Sequence, residues 1–315
     1  MITVAEEKVV DYALTAKLAT EAFADAKVSF SPDRIQWLYE TSFGQGTTVL
    51  AAMEDGRKIG QVALIGQKLC IAGETRTAVQ LVDLFIMQAY RSAGLVRQLY
   101  REVERICEAR GIRYMLALPN DRSVLLNARL LKLAPLMELP VRAGLSLRGS
   151  GAKLACSDRF KTLSREQAIA LLSPFSCTTT ENGVHYDGES LFARLGDPTR
   201  DYALHATESL LLISSLRKRN NVSHTVLSGF FTRPDAGLGP DAVDKLVRAA
   251  CGFWHSPLFV YAGVNDRLPK LPGIPLPARL KRPILVQLRD MTGQPATDAA
   301  ATRFARFQLI DSDFA

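Results

Sequence analysis

The sequence predicts an α+β fold made of two similar lobes. Three features of the 315-residue chain support this expectation: hairpins of apolar strands, long strands that lead directly into amphipathic helices, and the recurrence of this order in both halves. In the first half, Gly94 at a helix start and Arg113 near the next strand are 19 positions apart; in the second, Pro240 and Leu258 are 18 apart. The similar spacing favours a divergent internal repeat.

Turn and cap residues define the elements of the first half. Ser31 followed by Pro32 marks the start of the second helix. The pair Asp55-Gly56 predicts a hairpin turn, and Gly111 has the position of a helix C′ residue. The predicted elements are, in order, helices at 8–24 and 31–42, a hairpin at 47–71, a strand at 79–87, a helix at 94–110, a strand at 112–118, a helix at 120–133 and a strand at 140–148.

Polar, glycine-bearing and turn-rich stretches separate the two halves. We expect residues 149–180 to form a linker between a first lobe at 1–148 and a second lobe at 181–315. The elements predicted beyond residue 160 are a short helix at 165–172, a hairpin at 208–231, a helix beginning near Pro240 and a strand at 257–264.

Composition excludes several classes of protein. The chain is 23% charged and 47% hydrophobic, so it can bury a substantial core. It contains no apolar run of about 18 residues that would suggest a membrane helix, and its N-terminus lacks the basic-then-apolar order of a signal peptide. The five cysteines are widely spread and form no CxxC pair or Cys/His cluster. We therefore expect reduced thiols in a cytoplasmic protein, and no metal site.

The net charge of +7 at pH 7 suggests an anionic partner. Nucleic acid is disfavoured, because the basic residues are dispersed and are not interleaved with aromatic residues. A phosphorylated cofactor or an acidic carrier protein fits the charge equally well.

The strand-to-helix corner at residues 91–96 is the strongest functional signal. A helix N-terminus presents backbone N–H groups without partners and a partial positive charge, and Arg91 adds a full charge. Gly94 lets a ligand approach the backbone because it has no Cβ. Such a corner is a binding site for phosphate or pyrophosphate. The two commoner phosphate motifs, GxxxxGK[ST] and GxGxxG after a strand, are absent.

The segment DLFIMQAYRSAGLVRQLYREV resembles the cofactor-binding segment of the GCN5-related N-acetyltransferases, the GNAT superfamily. In that family a strand leads into Tyr-Arg-x-x-Gly-x-Gly/Ala and a helix; Tyr90, Arg91, Gly94 and Leu99 match this pattern. LPNDRSVLLNARLLKL is similar to the next family segment. The second half looks like a divergent second lobe, so the resemblance implies a duplicated, GNAT-like mixed sheet flanked by helices.

The resemblance also implies acetyl-CoA or another acyl-CoA as co-substrate, bound where two strands separate. Backbone groups at the end of the strand would pair with the pantetheine arm, those near 85–87 would polarise the thioester carbonyl, and N–H groups of the corner would hold the pyrophosphate. The implied cofactor-binding residues are Leu84, Phe85, Ile86, Met87, Arg91, Ser92, Ala93, Gly94, Leu95 and Val96.

Three further residues are implied to act in catalysis: Asp83, Asn120 and Ser123. Asp83 lies in the apolar strand LVDLFIM, where an ionised carboxylate is costly unless it is paired or hydrated. It is either the base that receives a proton from the acceptor amine or a buried carboxylate paired with a neighbour. Asn120 either caps the next helix or contacts the cofactor or a water molecule.

Val96 and Asn127 depart from the family pattern. Val96 stands where the family prefers Gly or Ala, and its branched side chain is expected to crowd or shift the pyrophosphate. Asn127 stands where many members place a Tyr that protonates the leaving thiolate, a role that an amide cannot fill. The thiolate then leaves without direct protonation, another residue serves, or the lobe is inactive.

The leading hypothesis is an acyl-CoA-dependent N-acyltransferase, with acetyl as the expected acyl group and a small-molecule amine or amino-acid-like compound as acceptor. One alternative is transfer of longer acyl chains from acyl-CoA or from an acyl carrier protein. The other is a degenerate GNAT-like protein that binds an acyl cofactor or a partner without turnover. Arg91, Gly94 and Asp83 favour an enzyme, whereas Val96 and Asn127 favour the binder.

Overall fold

A computed structural model describes residues 1–24, 29–146, 154–176, 181–219, 221–234, 236–292 and 303–313. The chain divides into two compact units that are interleaved along the sequence. Unit 1 comprises Met1–Leu69, Arg76–Leu136 and Val286–Ala300, and unit 2 comprises Cys70–Thr75, Met137–Leu285 and Ala301–Ala315. The predicted lobes at 1–148 and 181–315 were contiguous, and the pairing of distant strands explains the difference.

The helices are α1 (Tyr12–Ala22), α2 (Pro32–Glu40), α3 (Ala93–Ala109), α4 (Ser123–Leu130), α5 (Arg165–Leu172), α6 (Gly188–Arg194) and α7 (Ala242–Phe253). The strands are β1 (Ile2–Glu6), β2 (Thr47–Glu54), β3 (Arg57–Ile71), β4 (Glu74–Ile86), β5 (Tyr114–Ala117), β6 (Ala134–Leu139), β7 (Val141–Leu145), β8 (Cys156–Arg159), β9 (Gly183–Val184), β10 (Tyr202–Ala206), β11 (Leu210–Arg219), β12 (Val222–Thr232), β13 (Leu258–Asn265), β14 (Ile274–Pro275), β15 (Ile284–Asp290) and β16 (Arg306–Gln308).

Unit 1 is built on strands in the order β1-β2-β3-β4-β5-β15. The β2–β3 hairpin turns at Asp55 and Gly56, both at positive φ, as the sequence predicted. The β4–β5 pair is parallel, whereas β15 runs antiparallel to β5. α3 packs Leu99 and Val103, among others, into a core shared with β2 to β5. A short 3₁₀ turn at Gln88–Tyr90 connects the end of β4 to this helix and so positions the corner.

Unit 2 orders its strands β8-β10-β11-β12-β13-β7-β14, and the β12–β13 pair is again parallel. α7 packs Leu246 and Ala250 against β11, β12 and β13. The segment at 140–148, predicted as a strand of the first lobe, provides β7, which pairs with β13 in unit 2. Its partner lies more than a hundred residues away, so the local sequence does not identify it.

Part of the predicted linker is ordered within unit 2. β8 pairs with β10, and the helix predicted at 165–172 is α5. Ser164 caps α5 reciprocally with Gln167, which stabilises the start of the helix. Residues 149–153 and 177–180 of that predicted linker lie outside the described residues. The described part of 149–180 is therefore better assigned to unit 2 than to a connection.

Both units repeat one order of elements, which confirms the predicted α+β class. Three consecutive antiparallel strands are followed by a bend, a helix and a strand parallel to the third, as β2-β3-β4-α3-β5 and as β10-β11-β12-α7-β13. Among the described residues, no helix is long and apolar enough to cross a membrane.

Candidate active site

The parallel strands β4 and β5 separate near their carboxyl ends. Their pairing runs from Ala78 with Tyr114 to Leu81 with Ala117. β5 ends there, whereas β4 continues to Ile86. The chain after β5 soon reaches a proline at position 119, which has no N–H group for a ladder. The last five residues of β4 therefore present a backbone edge that β5 does not cover, suited to an extended ligand.

β4 changes its register at Asp83, within this uncovered part. Val79 and Leu81 contact the unit 1 core, and so do Leu84 and Ile86, so the core-facing positions shift from odd to even. Asp83 itself has a φ of 49°, a conformation uncommon outside glycine. Together these features indicate a β-bulge. Strained backbone of this kind is concentrated at functional sites.

The bulge brings the Asp83 carboxylate to α2. The Tyr39 hydroxyl donates a hydrogen bond to Asp83 Oδ2 at 2.8 Å. Burial raises the pKa of Asp83 above its ordinary value, while the bond from Tyr39 and the charge of Arg34 oppose this rise. A carboxyl with a raised pKa is better matched to accepting a proton near neutral pH. Both interpretations given for Asp83 therefore remain compatible with the structure. Its carboxylate is paired with Tyr39, and its pKa is raised, as a base that works near neutral pH requires.

Ser92 organises the start of α3. Its Oγ accepts a hydrogen bond from the N–H of Leu95 at 3.3 Å, and its carbonyl oxygen accepts one from Val96 at 3.4 Å. The amides of Leu95 and Val96, both predicted to bind the pyrophosphate, are therefore already bonded within the chain. Of the backbone amides predicted to bind the pyrophosphate, those of Ser92, Ala93 and Gly94 remain as candidates.

Gly94 is not required by the protein's own packing. Its φ is outside the positive range that favours glycine. A Cβ added at Gly94 would meet only Ser92 Oγ, at 3.9 Å, within 4 Å. The backbone thus borders open space at the first turn of a 17-residue helix. This geometry suits the close approach of an anion.

Arg91 holds two chain ends beside the corner. Its Nε donates to the carbonyl oxygen of Ile86 at 3.1 Å, and its Nη2 donates to the carbonyl oxygen of Ala22 at 2.7 Å. The residue was predicted to bind phosphate directly. In the structure its guanidinium joins the ends of β4 and α1, and its positive charge lies next to the corner, so direct phosphate binding stays a prediction.

The edge residues of β4 divide into two sets. Met87 donates its N–H to the carbonyl oxygen of Ile59 on β3 at 2.9 Å. Because backbone groups of consecutive strand residues point to opposite edges, Phe85, two positions before Met87, also faces β3, whereas Leu84 and Ile86 face the uncovered edge. The sequence placed the carbonyl-polarising amides near 85–87; the geometry leaves Ile86 as the member of that set with its N–H on the uncovered edge.

Val96 packs against the unit 1 core and is partly buried. The expected crowding of a pyrophosphate by this side chain stays a prediction. The core cluster against which Val96 packs includes Leu95 and Leu99.

Asn120 and Ser123 bond to each other at the start of α4. Asn120 Oδ1 accepts from the N–H groups of Arg122 at 3.0 Å and Ser123 at 3.1 Å, and Ser123 Oγ donates to the Asn120 carbonyl oxygen at 3.2 Å. These contacts favour the capping interpretation of Asn120. The structure gives both side chains a local role and does not join them to Asp83 by these bonds.

Asn127 is a buried structural amide. Tyr100 donates its hydroxyl to Asn127 Oδ1 at 2.6 Å, and Asn127 Nδ2 donates to Gln287 Oε1 at 3.1 Å. With both ends of the amide bonded inside unit 1, this position links α3, α4 and β15. It does not supply an acid.

Two residues of the site were missed by sequence reasoning, Tyr39 and Gln61. Tyr39 follows the apolar residues of α2 and looks like an ordinary core aromatic. Gln61 Nε2 donates to the Tyr39 hydroxyl at 2.8 Å from β3. A lone polar residue inside the apolar run IGQVALI was the available signal, of the same kind that identified Asp83. Among the described residues, no group of acidic, histidine and cysteine side chains could hold a metal ion.

Part of the sequence is similar to a known family. Residues 13–130 match the model of the Acetyltransferase (GNAT) family. None of the curated proteins matches the sequence.

Solved structures with the same fold cover nearly the whole chain. A probable N-acyltransferase of Enterococcus faecalis V583 aligns over 92% of this chain and 72% of its own, with a TM-score of 0.63 and 11% identity. A GCN5-related N-acetyltransferase of Anabaena variabilis aligns over 92% and 73%, with a TM-score of 0.60 and 10% identity. Saccharomyces cerevisiae N-myristoyltransferase with bound myristoyl-CoA aligns over 96% and 83%, with a TM-score of 0.60 and 12% identity. At these identities the likeness is one of fold.

Proposed function

We propose that the protein transfers an acyl group from acyl-CoA to an amine at the uncovered edge of β4, since residues 13–130 match the model of the Acetyltransferase (GNAT) family. The observation that carries this proposal is the parting of β4 from β5 after Leu81 and Ala117, directly beside the N-terminus of α3. The uncovered edge of β4 suits the extended pantetheine arm of CoA, and the N-terminus of α3 suits its phosphates.

The residues present fit such a co-substrate. The backbone groups of Leu84 would pair with the pantetheine arm. The amides of Ser92 to Gly94 would bind the pyrophosphate, and the open space at Gly94 would admit it. The net charge of +7 adds a favourable long-range field for a polyanion.

Acyl-CoA would supply an activated thioester for attack by the amine. Asp83 would receive the proton that the ammonium form loses, directly or through water. The N–H of Ile86 would stabilise the negative charge that develops on the carbonyl oxygen. Asn127 is bonded on both sides and would donate no proton, so the departing thiol would take its proton from water; thiol pKa values of about 8.5 make this tolerable.

Acetyl and longer acyl groups both fit this chemistry, and the relatives include acetyl- and myristoyl-transferring proteins by name. We propose acetyl-CoA as the first donor to test and a small-molecule amine as acceptor. A panel of acetyl-CoA, myristoyl-CoA and free CoA in calorimetric titrations would rank the donors.

The site assignment is tested by Gly94→Asp. A carboxylate at this corner would oppose the pyrophosphate, and like charges at a binding site cost several kcal/mol, so the affinity for CoA should fall about 100-fold or more. The melting temperature should stay near that of the parent, because a side chain at Gly94 meets open space.

The matched control is Gly239→Asp. Gly239 lies in the equivalent bend before α7 of unit 2 and also borders open space. It should leave the affinity for CoA unchanged. Equal affinities of the parent and the folded Gly94 variant would refute the assignment of the corner.

A further inference from the structure

Three polar side chains form a hydrogen-bonded chain through unit 1. Gln61 on β3 donates to the Tyr39 hydroxyl on α2, and Tyr39 donates to Asp83 Oδ2 on β4, both at 2.8 Å. Gln61 is 0% exposed and Tyr39 is 3% exposed. The chain thus connects the core of the unit to the one carboxylate at the bulge.

The direction of this chain follows from proton counting. A tyrosine hydroxyl has one proton, and Tyr39 uses it for Asp83, so Gln61 must be a donor. Burial and the neighbouring Asp83 raise the pKa of Tyr39 well above its ordinary value. Tyr39 therefore remains a protonated donor. Its ring lies edge-on to that of Tyr12, with centroids 6.5 Å apart, which limits its movement.

Gln61 lowers the stability of the core. Its Oε1 is buried and has no hydrogen-bond partner in the described part of the chain. A buried acceptor without a partner costs free energy, and an apolar side chain of the same size would avoid that cost. Local violations of this kind are expected where function requires them. Stability alone does not explain a glutamine here.

We propose that Tyr39 and Gln61 are positioning residues: they fix the Asp83 carboxylate in the orientation and the ionised form that proton abstraction from the acceptor amine requires. This inference rests on the proposed acyl transfer. The hydrogen bond from Tyr39 lowers the pKa of Asp83 and so opposes the rise caused by burial, and Arg34 on α2 acts in the same direction. Glu7 is a further charged group that acts on Tyr39.

The test is the pH profile of kcat/KM for acyl transfer. Tyr39→Phe removes the hydrogen bond and keeps the ring, so the pKa of Asp83 should rise and the acidic limb should move to higher pH by about one unit. On the acidic limb kcat/KM should therefore fall up to about tenfold, the factor that corresponds to one pKa unit. Gln61→Leu should shift the limb in the same direction by less, with a melting temperature equal to or above that of the parent.

Two matched controls remove equivalent groups outside the chain of bonds. Tyr100→Phe deletes a buried hydroxyl that bonds to Asn127, and Gln67→Leu deletes a buried amide that bonds to Gln80. Both should keep the parental acidic limb. A ¹³C titration of the Asp83 carboxyl carbon in the parent and in Tyr39→Phe gives the same comparison without any substrate.

The outcomes separate this inference from the proposed function. A parental acidic limb and a parental Asp83 titration in Tyr39→Phe would overturn the positioning role while leaving the transferase intact. A parent that transfers no acyl group would instead refute the proposed function, and the carboxyl titration would still decide whether Tyr39 governs Asp83. A shift in Tyr39→Phe that both controls lack would support the inference.

Discussion

The two units part their parallel strands in the same way. In unit 1, β4 and β5 separate after Leu81 and Ala117. In unit 2, β12 and β13 separate after Leu227 and Tyr261. In each case the first strand of the pair leads to the bend before the helix. The internal repeat therefore includes the separation of the two parallel strands, which forms the candidate site in unit 1.

A bulge follows the last paired residue in both units. In β4 the irregular residue is Asp83. In β12 the pairing with β11 shifts between Ile213 and Ser214, which leaves Ser228 as the extra residue. The backbone device is therefore the same, but unit 1 places a carboxylate beside it and unit 2 a hydroxyl. At this position unit 2 therefore has no carboxylate that could act as a base.

The two separations differ in what occupies them. In unit 2, the N–H of Gly263 bonds to the carbonyl oxygen of Pro140 on the β7 side of β13. The N–H of Asp266, of opposite parity, bonds to Ala305, just before β16. Consecutive residues of a strand direct their N–H groups to opposite edges, and positions 263 and 266 are an odd number of residues apart. β16 therefore lies on the β12 side of β13. The C-terminal segment thus enters the space between the two strands.

The side chain of Gln308 occupies part of the space between β12 and β13. Its Oε1 accepts the N–H of Phe230 at 2.8 Å, and its Nε2 donates to the carbonyl oxygen of Phe230 at 3.0 Å. The side-chain amide replaces a neighbouring backbone on β12, as an amide of a ligand would. Ile310 then packs at Gly229, where a Cβ would lie 2.8 Å from it. In unit 2 the fold thus uses this edge for its own stability, whereas in unit 1 we propose that the equivalent edge binds a ligand.

We expect the largest effect from removing the carboxylate at the bulge of unit 1, which is the group that distinguishes it from unit 2. Asp83→Asn should lower the acyl-transfer rate by about 10²–10⁴, the usual contribution of a general base. Because unit 2 has no carboxylate at its bulge, it should supply no residual activity. Affinity for CoA and the melting temperature should change little, since an asparagine can still accept the hydrogen bond from Tyr39. Steady-state rates together with calorimetric titration check this.

Asp33→Asn provides the control for charge, because Asp33 is exposed on the same helix as Tyr39. It should turn over like the parent. An Asp83 variant that folds, binds CoA and keeps the parental rate would remove Asp83 from the mechanism.

The next effect concerns the filled separation of unit 2. Gln308→Leu keeps the size of the side chain but leaves the N–H of Phe230 and the hydroxyl of Tyr261 without the acceptor they share. Two buried donors without a partner should lower the free energy of unfolding by about 3 kcal/mol. Denaturant titration measures this loss.

Binding stoichiometry sharpens the same comparison. We expect one equivalent of CoA per chain in the parent and in Gln308→Leu, because Ile310 still occupies the space beside Gly229. A second equivalent bound by the variant would show that the C-terminal segment covers a functional site.

The order of elements could be predicted where local signals define it. α5 was predicted as a short helix at 165–172, and the β2–β3 hairpin was predicted from Asp55 and Gly56. β15 and β16 were not predicted, because their partners β5 and β13 lie far away in the sequence. Short local patterns contain no information about which distant strand will accept their hydrogen bonds.

The site was predictable to a similar extent. Asp83 could be singled out because a lone carboxylate in an apolar strand needs a physical reason. The roles of Arg91 and Val96 could not, since both depend on tertiary contacts, with the carbonyl oxygens of Ile86 and Ala22 in one case and with the core in the other. Tyr39 was hidden because a buried tyrosine looks like a packing residue until its hydroxyl partner is known.

A smaller difference between the units lies in their response to acid. All four histidines of the chain belong to unit 2. His205 on β10 is 0% exposed, between Ser157 Oγ at 2.9 Å from Nδ1 and Ser214 Oγ at 2.8 Å from Nε2. Burial lowers the pKa of His205 from 6.5 to about 4, against a weaker opposing effect of Asp158. The imidazole is therefore neutral in the folded state near neutral pH.

This lowered pKa makes the stability of unit 2 depend on pH. The unfolded chain binds a proton at His205 more readily than the folded chain, so the stabilisation is complete above about pH 6.5 and is lost as the pH falls toward 4. Between pH 7.5 and 5 the loss attributable to this histidine is about 2 kcal/mol. In denaturant titrations at the two pH values, His205→Gln should lack this part of the loss. His224→Gln, at a partly exposed position of β12, should retain it. If the parent and His205→Gln lose the same free energy of unfolding, His205 is not the group that couples the stability of unit 2 to pH.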